Sequence, residues 1–239
     1  MRAFREQSLS IRTGAGAMRA VLLRFIQFVR GLRANPKVKV MKVCIDPGHG
    51  FPAAGAVGLN LTTESFVVLE VSQLLRSMLE STGHEVLMTR TEDRDVGFTA
   101  RAQMANNFGA DVFISIHCNA FHDRTVRGVE TIYHHSPANK AIAERVQAAV
   151  VAATGDRDRG FYSRDIETRE WSRIIPGRAA IPIDFKEITI LTASAVPAVL
   201  VEIGFISNPD TEKLMQTHEW REKVARALFD SLVRPLHPQ

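Results

Sequence analysis

The sequence predicts an α/β domain, a three-layer sandwich whose twisted, mostly parallel sheet is flanked by helices. Three observations carry that prediction. Short β-branched runs alternate with longer segments of helical period from Lys37 onward, the pattern of a sheet covered by helices. The chain has 239 residues, 45% of them hydrophobic, which suffices for one substantial core. Gly- and Pro-containing breaks separate the runs, and no internal repeat or low-complexity segment interrupts them.

Taken in order, Val38–Ile45 reads as a strand that feeds the loop Asp46-Pro47-Gly48-His49-Gly50. Leu61-Thr62-Thr63-Glu64 opens a helix to about Ser81, with Val67, Val68, Val71, Leu74, Leu75, Met78 and Leu79 on a broad apolar face. Thr82-Gly83 stops it. Strands are expected at His84–Thr89, Asp111–His117, Gly128–Tyr133, Ile188–Leu191 and Ala198–Ile203. Helices are expected at Phe98–Phe108, Asn139–Ala153 and within Pro209–Val233, while Gly155–Pro182 is polar and without clear period.

Charge divides the chain. Residues 1–39 hold nine Lys/Arg against Glu6 alone, a net +8, whereas the remainder holds 21 basic and 25 acidic residues, a net −4. A nucleic-acid-binding domain would keep its basicity on the folded part, so that class is set aside. Residues 1–36 are thus a basic N-terminal arm and 37–239 the domain, with Asn35-Pro36 as punctuation. Within the arm, Leu22, Phe25, Ile26, Val29 and Leu32 follow helical spacing. That segment is a helix docked on its own domain or a loose leader, an amphipathic helix contacting an anionic membrane surface, or an atypical export leader. Arg24 and Gln27 break the apolar centre a signal peptide needs. No apolar run reaches the roughly 20 residues of a membrane-spanning helix. Two cysteines make no disulfide framework, and Cys44 and Cys118 lie in apolar runs as buried thiols do.

Chemistry-bearing residues gather at strand ends, the edge of an α/β sheet where ligands bind. His49 follows Val43-Cys44-Ile45-Asp46-Pro47-Gly48, His117 follows Phe113-Ile114-Ser115-Ile116, and Glu202 lies at the end of Ala198–Ile203. Spacing alone leaves a metal site and a pair of structural histidines equally open.

Four segments narrow the choice. They are Val43–Gly50; Thr89-Arg90-Thr91 followed by Arg101 and Ala105-Asn106; Ser115-Ile116-His117-Cys118-Asn119-Ala120; and Pro197–Asn208, which contains Glu202-Ile203-Gly204-Phe205. Together, over about Lys42 to Leu228, they resemble the zinc-dependent type 3 N-acetylmuramoyl-L-alanine amidases of bacterial and phage cell walls. The resemblance implies one Zn2+ per chain, with His49, Glu64 and His117 as metal ligands and Glu202 as the catalytic carboxylate. Two imidazoles and a carboxylate leave zinc an open position, and a further carboxylate can carry the proton. The implied substrate is peptidoglycan, cut between the lactyl group of N-acetylmuramic acid and L-alanine of the stem peptide. The implied place of action is the cell wall or periplasm, reached by release as a lysin or by an atypical leader. A monomer is expected.

Bland readings stand beside these. Without the resemblance, Glu64 is a first-turn carboxylate favoured by the helix dipole. Glu70, its rival as ligand, sits two turns inside the helix. Asn119 either binds substrate or caps its strand. Arg90 and Arg101 read as structural, pairing with Asp95 or Asp111. His122, His134 and His135 suggest a second metal site, but no carboxylate pattern accompanies them. Phe161–Pro182 departs from the family pattern as an insertion, carrying Tyr162 and Trp171, and is a blocking lid, a substrate-gripping flap or decoration. Rival functions are another zinc peptidase or amidohydrolase on the same scaffold, and an inactive wall-binding regulator.

Overall fold

The computed structural model describes residues 39–134, 136–164, 171–173 and 188–233. The arm at 1–36, His135, the Trp171 side chain and most of the 161–182 insertion lie outside the described residues. Seven strands form one sheet: β1 Lys42–Pro47, β2 Glu85–Met88, β3 Val112–Asn119, β4 Val129–His134, β5 Asp158–Arg164, β6 Trp171–Arg173 and β7 Ala198–Phe205. Their spatial order is β2-β1-β3-β7-β4-β5-β6. β2, β1, β3 and β7 run parallel, β4 joins β7 antiparallel, β5 is parallel to β4, and β6 closes the edge antiparallel.

Helices are α1 Glu64–Ser81, α2 Phe98–Phe108, α3 Pro137–Thr154, α4 Ile188–Thr192, α5 Pro209–Met215 and α6 His218–Val233. They cover both faces, as the sequence predicts. Alternation in the central strands splits the core. Val43, Ile45, Ile114, Ile116, Val199 and Val201 pack with α1, α3 and α6. Cys44, Phe113, Leu200 and Ile132 face the other way, against Ala102 and Ala105 of α2 and Ile190 and Leu191 of α4. Every residue of β3 and β7 is buried, so these two strands are the centre of the domain.

Local chemistry fixes the helix ends. Ser136 caps α3 by accepting from Asn139 N, with Pro137 in the first turn and Gly155 in the left-handed conformation after the last. Asn208 caps α5 by accepting from Asp210 N and Thr211 N.

Two expectations are corrected. Ile188–Leu191 is expected as a strand but begins α4; a four-residue apolar run carries no period of its own, and here Ile190 and Leu191 cover the α2 side of the sheet. Asp158–Arg164, inside the segment read as aperiodic, is β5. Its alternation is hidden by charged Asp158 and Arg159 and by an irregularity in its pairing with β4, near Gly160 at φ 91°. Among the described residues, no helix is long and apolar enough to cross a membrane.

Candidate metal centre

The site is built where β1 and β3 end. Beyond Pro47, Gly48 N donates to Ile116 O at 3.0 Å, which carries the pairing one residue further. His49 then turns into the left-handed region at φ 59°, a conformation that costs a non-glycine residue free energy. Two buried arginines hold that turn by its carbonyl oxygens. Arg90 donates to Pro47 O, Gly48 O and Ser65 O, and Arg101 donates to Pro47 O and His49 O. Burial, and then the neighbouring Arg101, lowers the Arg90 pKa to about 10. Both arginines are structural, as expected, but the main acidic partner of Arg101 is Asp46 at 2.8 Å, with Asp95 at 3.4 Å. Asp111 instead accepts from Lys42 N.

Glu64, first residue of α1, lies between the two imidazoles. Its Oε1 is 3.0 Å from His117 Nδ1 and accepts from Cys118 N at 2.9 Å. Its Oε2 is 3.3 Å from His49 Nε2 and accepts from Ala56 N at 2.9 Å. The two rings sit edge to face with centroids 5.1 Å apart. Burial alone would raise the Glu64 pKa, but contacts with His117 and then His49 hold the carboxyl well below the usual carboxylate range. Two glycines make this closeness possible. A Cβ on Gly48 would stand 2.4 Å from His117 Cε1, and one on Gly55 would stand 2.5 Å from Glu64 Oε2.

A polar chain behind His117 orients it. Its Nε2 lies 3.1 Å from Ser115 Oγ, which donates to Asp46 Oδ2 at 2.6 Å. Asp46 also accepts from Thr89 Oγ1 and Arg101. Burial would raise the Asp46 pKa; the Arg101 charge, with the Ser115 and Thr89 hydrogen bonds, brings it below the ordinary value. This chain assigns the Nε2 proton of His117 toward Ser115, leaving Nδ1 to face Glu64.

Glu202, 4% exposed, is the register partner of His117 across β3 and β7. Glu130 on β4 is in turn the register partner of Glu202, so His117, Glu202 and Glu130 form one row on one face of the sheet. Arg159 of β5 pairs with Glu130 and stacks over the Phe205 ring at 5.1 Å. Burial raises the Cys118 thiol pKa well above its ordinary value, with Glu64 and Glu202 adding to it, and burial pushes the Cys44 thiol up to about 12. Both cysteines are thus unreactive core residues.

His49, Glu64 and His117 offer ligand atoms within 4.8 Å of one another, and among the described residues no other such group occurs. Tetrahedral zinc with ligand bonds of roughly 2.0–2.1 Å places neighbouring ligand atoms about 3.3 Å apart, and each imidazole stands at about that spacing from one Glu64 oxygen, His117 Nδ1 3.0 Å from Oε1 and His49 Nε2 3.3 Å from Oε2. Glu70 is half-buried and outside the group. His122 is exposed and stacks on Phe121, and His134 ends β4. Asn119 Oδ1 accepts from Ala120 N at 2.7 Å, a strand-end cap, while its buried Nδ2 makes no hydrogen bond.

Sequence reasoning missed three supports: the Ser115 link to Asp46, the Glu130–Arg159 pair, and Glu212. The last, from α5, accepts from Asn60 N and Nδ2 and from Thr62 N, pinning the loop that leads into Glu64. No motif at short range marks it, since its partners lie about 150 residues away.

A group that could hold a metal at the carboxyl edge of the parallel strands, with a buried carboxylate in register beside it, is the kind of site an α/β hydrolase presents. The particular family follows from comparison with known proteins. Residues 43–234 match the family model described as N-acetylmuramoyl-L-alanine amidase, and the chain belongs to that family. It is 28% identical over 219 residues to N-acetylmuramoyl-L-alanine amidase AmiA of Salmonella typhimurium, covering 82% of this chain and 76% of AmiA. It is 29% identical to the germination-specific N-acetylmuramoyl-L-alanine amidase of Bacillus subtilis, covering 80% and 78%. The catalytic domain of CwlV from Bacillus (Paenibacillus) polymyxa superposes with TM-score 0.68 at 29% identity, covering 81% and 96%. An amidase from Clostridium difficile 630 gives 0.69 at 27%, covering 81% and 95%. The chain is a peptidoglycan amidase that cleaves between N-acetylmuramic acid and L-alanine.

Proposed function

We propose that this cleavage is a hydrolysis in which His49, Glu64 and His117 hold one zinc ion and Glu202 moves the proton. The observation that carries it is the convergence of those three side chains beside Glu202, which is in register with His117. Zinc bound there supplies Lewis-acid polarisation of the scissile carbonyl and lowers the pKa of the attacking water toward about 7.

The chain's own residues do the rest. Glu202 takes the proton released as water attacks and delivers it to the departing nitrogen of L-alanine. The products are a lactyl carboxylate and a free L-alanine amino terminus. Asp46, through Ser115, keeps the His117 proton on Nε2. Arg90 and Arg101 keep the His49 turn in its strained conformation. Asn119 Nδ2 is a buried donor available to a substrate carbonyl, which supports a binding role beside its capping one. The reaction belongs at the cell wall, where relatives named as cell-wall amidases act; the basic arm at 1–36 is proposed to touch the membrane surface.

The test is digestion of purified peptidoglycan by zinc-loaded protein, with mass spectrometry of the products and metal analysis of the protein. Intact stem peptides with free L-alanine amino termini, and one zinc per chain, support the reading. Cleavage inside the stem peptide would mean a peptidase instead, and zinc binding without cleavage a regulator.

A further inference from the structure

A second feature, lined by none of the proposed ligands and not by Glu202, is built on loops that adjoin them in the chain. A cavity of about 200 Å³ opens between the loop at residues 57–59 and the loop at residues 121–124. Liquid water takes roughly 30 Å³ per molecule, so the space holds a residue-sized group and not a single small ion. Both loops lead away from proposed metal ligands. Val57 follows Ala56, whose N–H bonds Glu64, and Phe121 stands four residues past His117 on the chain leaving β3.

Both walls are anchored on one short stretch of chain. Phe121 N donates to Ser207 Oγ at 2.9 Å, and Asn208 Nδ2 donates to Arg124 O at 2.8 Å. Glu212, four residues on, binds Asn60 and Thr62 behind the other wall. The walls are apolar where Val57, Leu59 and Phe121 face the space, and polar where His122, Arg124 and Ser207 do. No acidic residue lines it. The neighbouring Asp123 carboxylate accepts from Thr125 N and Thr125 Oγ1 within its own turn. Among the described residues the Arg124 guanidinium makes no ion pair. A built, partly apolar cleft with one uncommitted guanidinium and a hydroxyl suits a carboxylate-bearing group.

This inference rests on the amidase reading above. In the substrate of that reaction, the lactyl carboxyl is consumed in the scissile amide and the sugar is neutral. The first negative charge near the scissile bond is the α-carboxylate of the γ-linked D-glutamyl residue that follows L-alanine. We propose that the cavity is the subsite for that second stem-peptide residue, with Arg124 reading its free carboxylate, so that the enzyme favours stems carrying the acid over stems carrying the neutral amide at this position.

The experiment uses the zinc-loaded full chain and two synthetic substrates, N-acetylmuramoyl-L-Ala-D-isoglutamate and its isosteric isoglutamine amide. A charge-assisted contact predicts a preference for the acid of about tenfold in kcat/KM, carried mainly by KM. Arg124→Gln, an exposed position whose zinc content serves as the folding control, is expected to bring the ratio to within about twofold. Calorimetric binding of the product dipeptides L-Ala-D-isoglutamate and L-Ala-D-isoglutamine should show the same preference and the same loss. A wild-type enzyme indifferent to the acid, or a preference that survives Arg124→Gln, overturns the subsite. If neither substrate is cut, the amidase reading fails on its own account, while dipeptide binding still decides the subsite: an Arg124-dependent preference for the acid supports it, and its absence rejects it.

Discussion

Gly55→Ala separates the geometry of the metal centre from the stability of the fold. Gly55 has φ 72°, and a Cβ there would stand 2.5 Å from Glu64 Oε2 and 2.7 Å from His49 Cδ2. Ordinary contact begins at 3.4 Å, so the methyl intrudes by about 0.9 Å on one proposed ligand and about 0.7 Å on another. A metal site tolerates displacements of only about 0.2 Å, and a loosened ligand set lowers affinity by roughly 10–100-fold. The left-handed backbone adds a separate cost of about 1–3 kcal/mol to the fold. Gly83→Ala is the control, because Gly83 has φ 91° with nothing within 4 Å of a built Cβ. Both variants should lose the backbone share of stability in denaturant unfolding, and Gly55→Ala more, because its methyl also overlaps packed side chains. Zinc titration against a competing chelator should show weakened binding in Gly55→Ala alone. Wild-type zinc affinity in Gly55→Ala, with the fold intact, would refute the assignment of Glu64 and His49 as partners in one site.

Other expectations follow from the same contacts. Glu202→Gln should lower kcat by about 10²–10⁴-fold while zinc content stays at the wild-type level, as read by steady-state kinetics and metal analysis. Ser115→Ala should weaken zinc binding by about tenfold or more, because it releases the His117 tautomer from Asp46. Arg159→Met should lower stability in denaturant unfolding, since it removes a cation paired with buried Glu130, and the double variant with Glu130→Met should recover much of that. Burial would raise the Glu212 pKa, but hydrogen bonds from Thr62 and Asn60 hold it below the ordinary 4.5. A depressed folded pKa stabilises above about pH 4.5 and the contribution is lost as pH falls through the folded value, so Glu212→Gln should flatten the fall in stability below pH 4.5.

The sequence exposes this site where the chemistry sits at the end of an apolar run. Cys44-Ile45 and Ile114–Ile116 are unmistakable as strand interiors, so the histidines after them fall at the ligand-binding edge, and Glu64 is visible because it begins a strongly periodic helix. That pattern alone leaves structural histidines and a first-turn carboxylate open, and it is the resemblance to the amidases that names His49, Glu64 and His117 as one ligand set. What stayed hidden is long-range and polar. Arg101 reads as a structural cation for Asp95 or Asp111, and nothing within a few residues of it says that its main partner is Asp46, 55 positions away. Glu212 looks like a first-turn acid of a short helix, which it also is, and its hold on Asn60 and Thr62 exists only once the chain has folded. α4 reads as a strand because four apolar residues have no period, and β5 does not show because charges and a pairing irregularity erase its alternation.

Charge balance gives the strongest physical reason for placing a cation at this centre. Four carboxylates are almost fully buried on or beside the same sheet face: Asp46, Glu64, Glu130 and Glu202. Buried carboxylates in a low-dielectric interior require compensation. Asp46 meets it in Arg101, 2.8 Å away, and Glu130 meets it in Arg159. These two ion pairs stand at opposite ends of the polar face, on β1 and on β4. Between them Glu64 meets two imidazoles, two backbone N–H groups and, among the described residues, no arginine or lysine. Glu202 stands one strand away from His117 in the same row. A divalent cation held by His49, Glu64 and His117, as proposed, would supply positive charge beside Glu64, which no arginine or lysine meets among the described residues. The flanking arginines engage Asp46 and Glu130, while Glu64 is the carboxylate that faces both histidines and Glu202 stands in register with His117, the placement on which its proposed proton-transfer role rests.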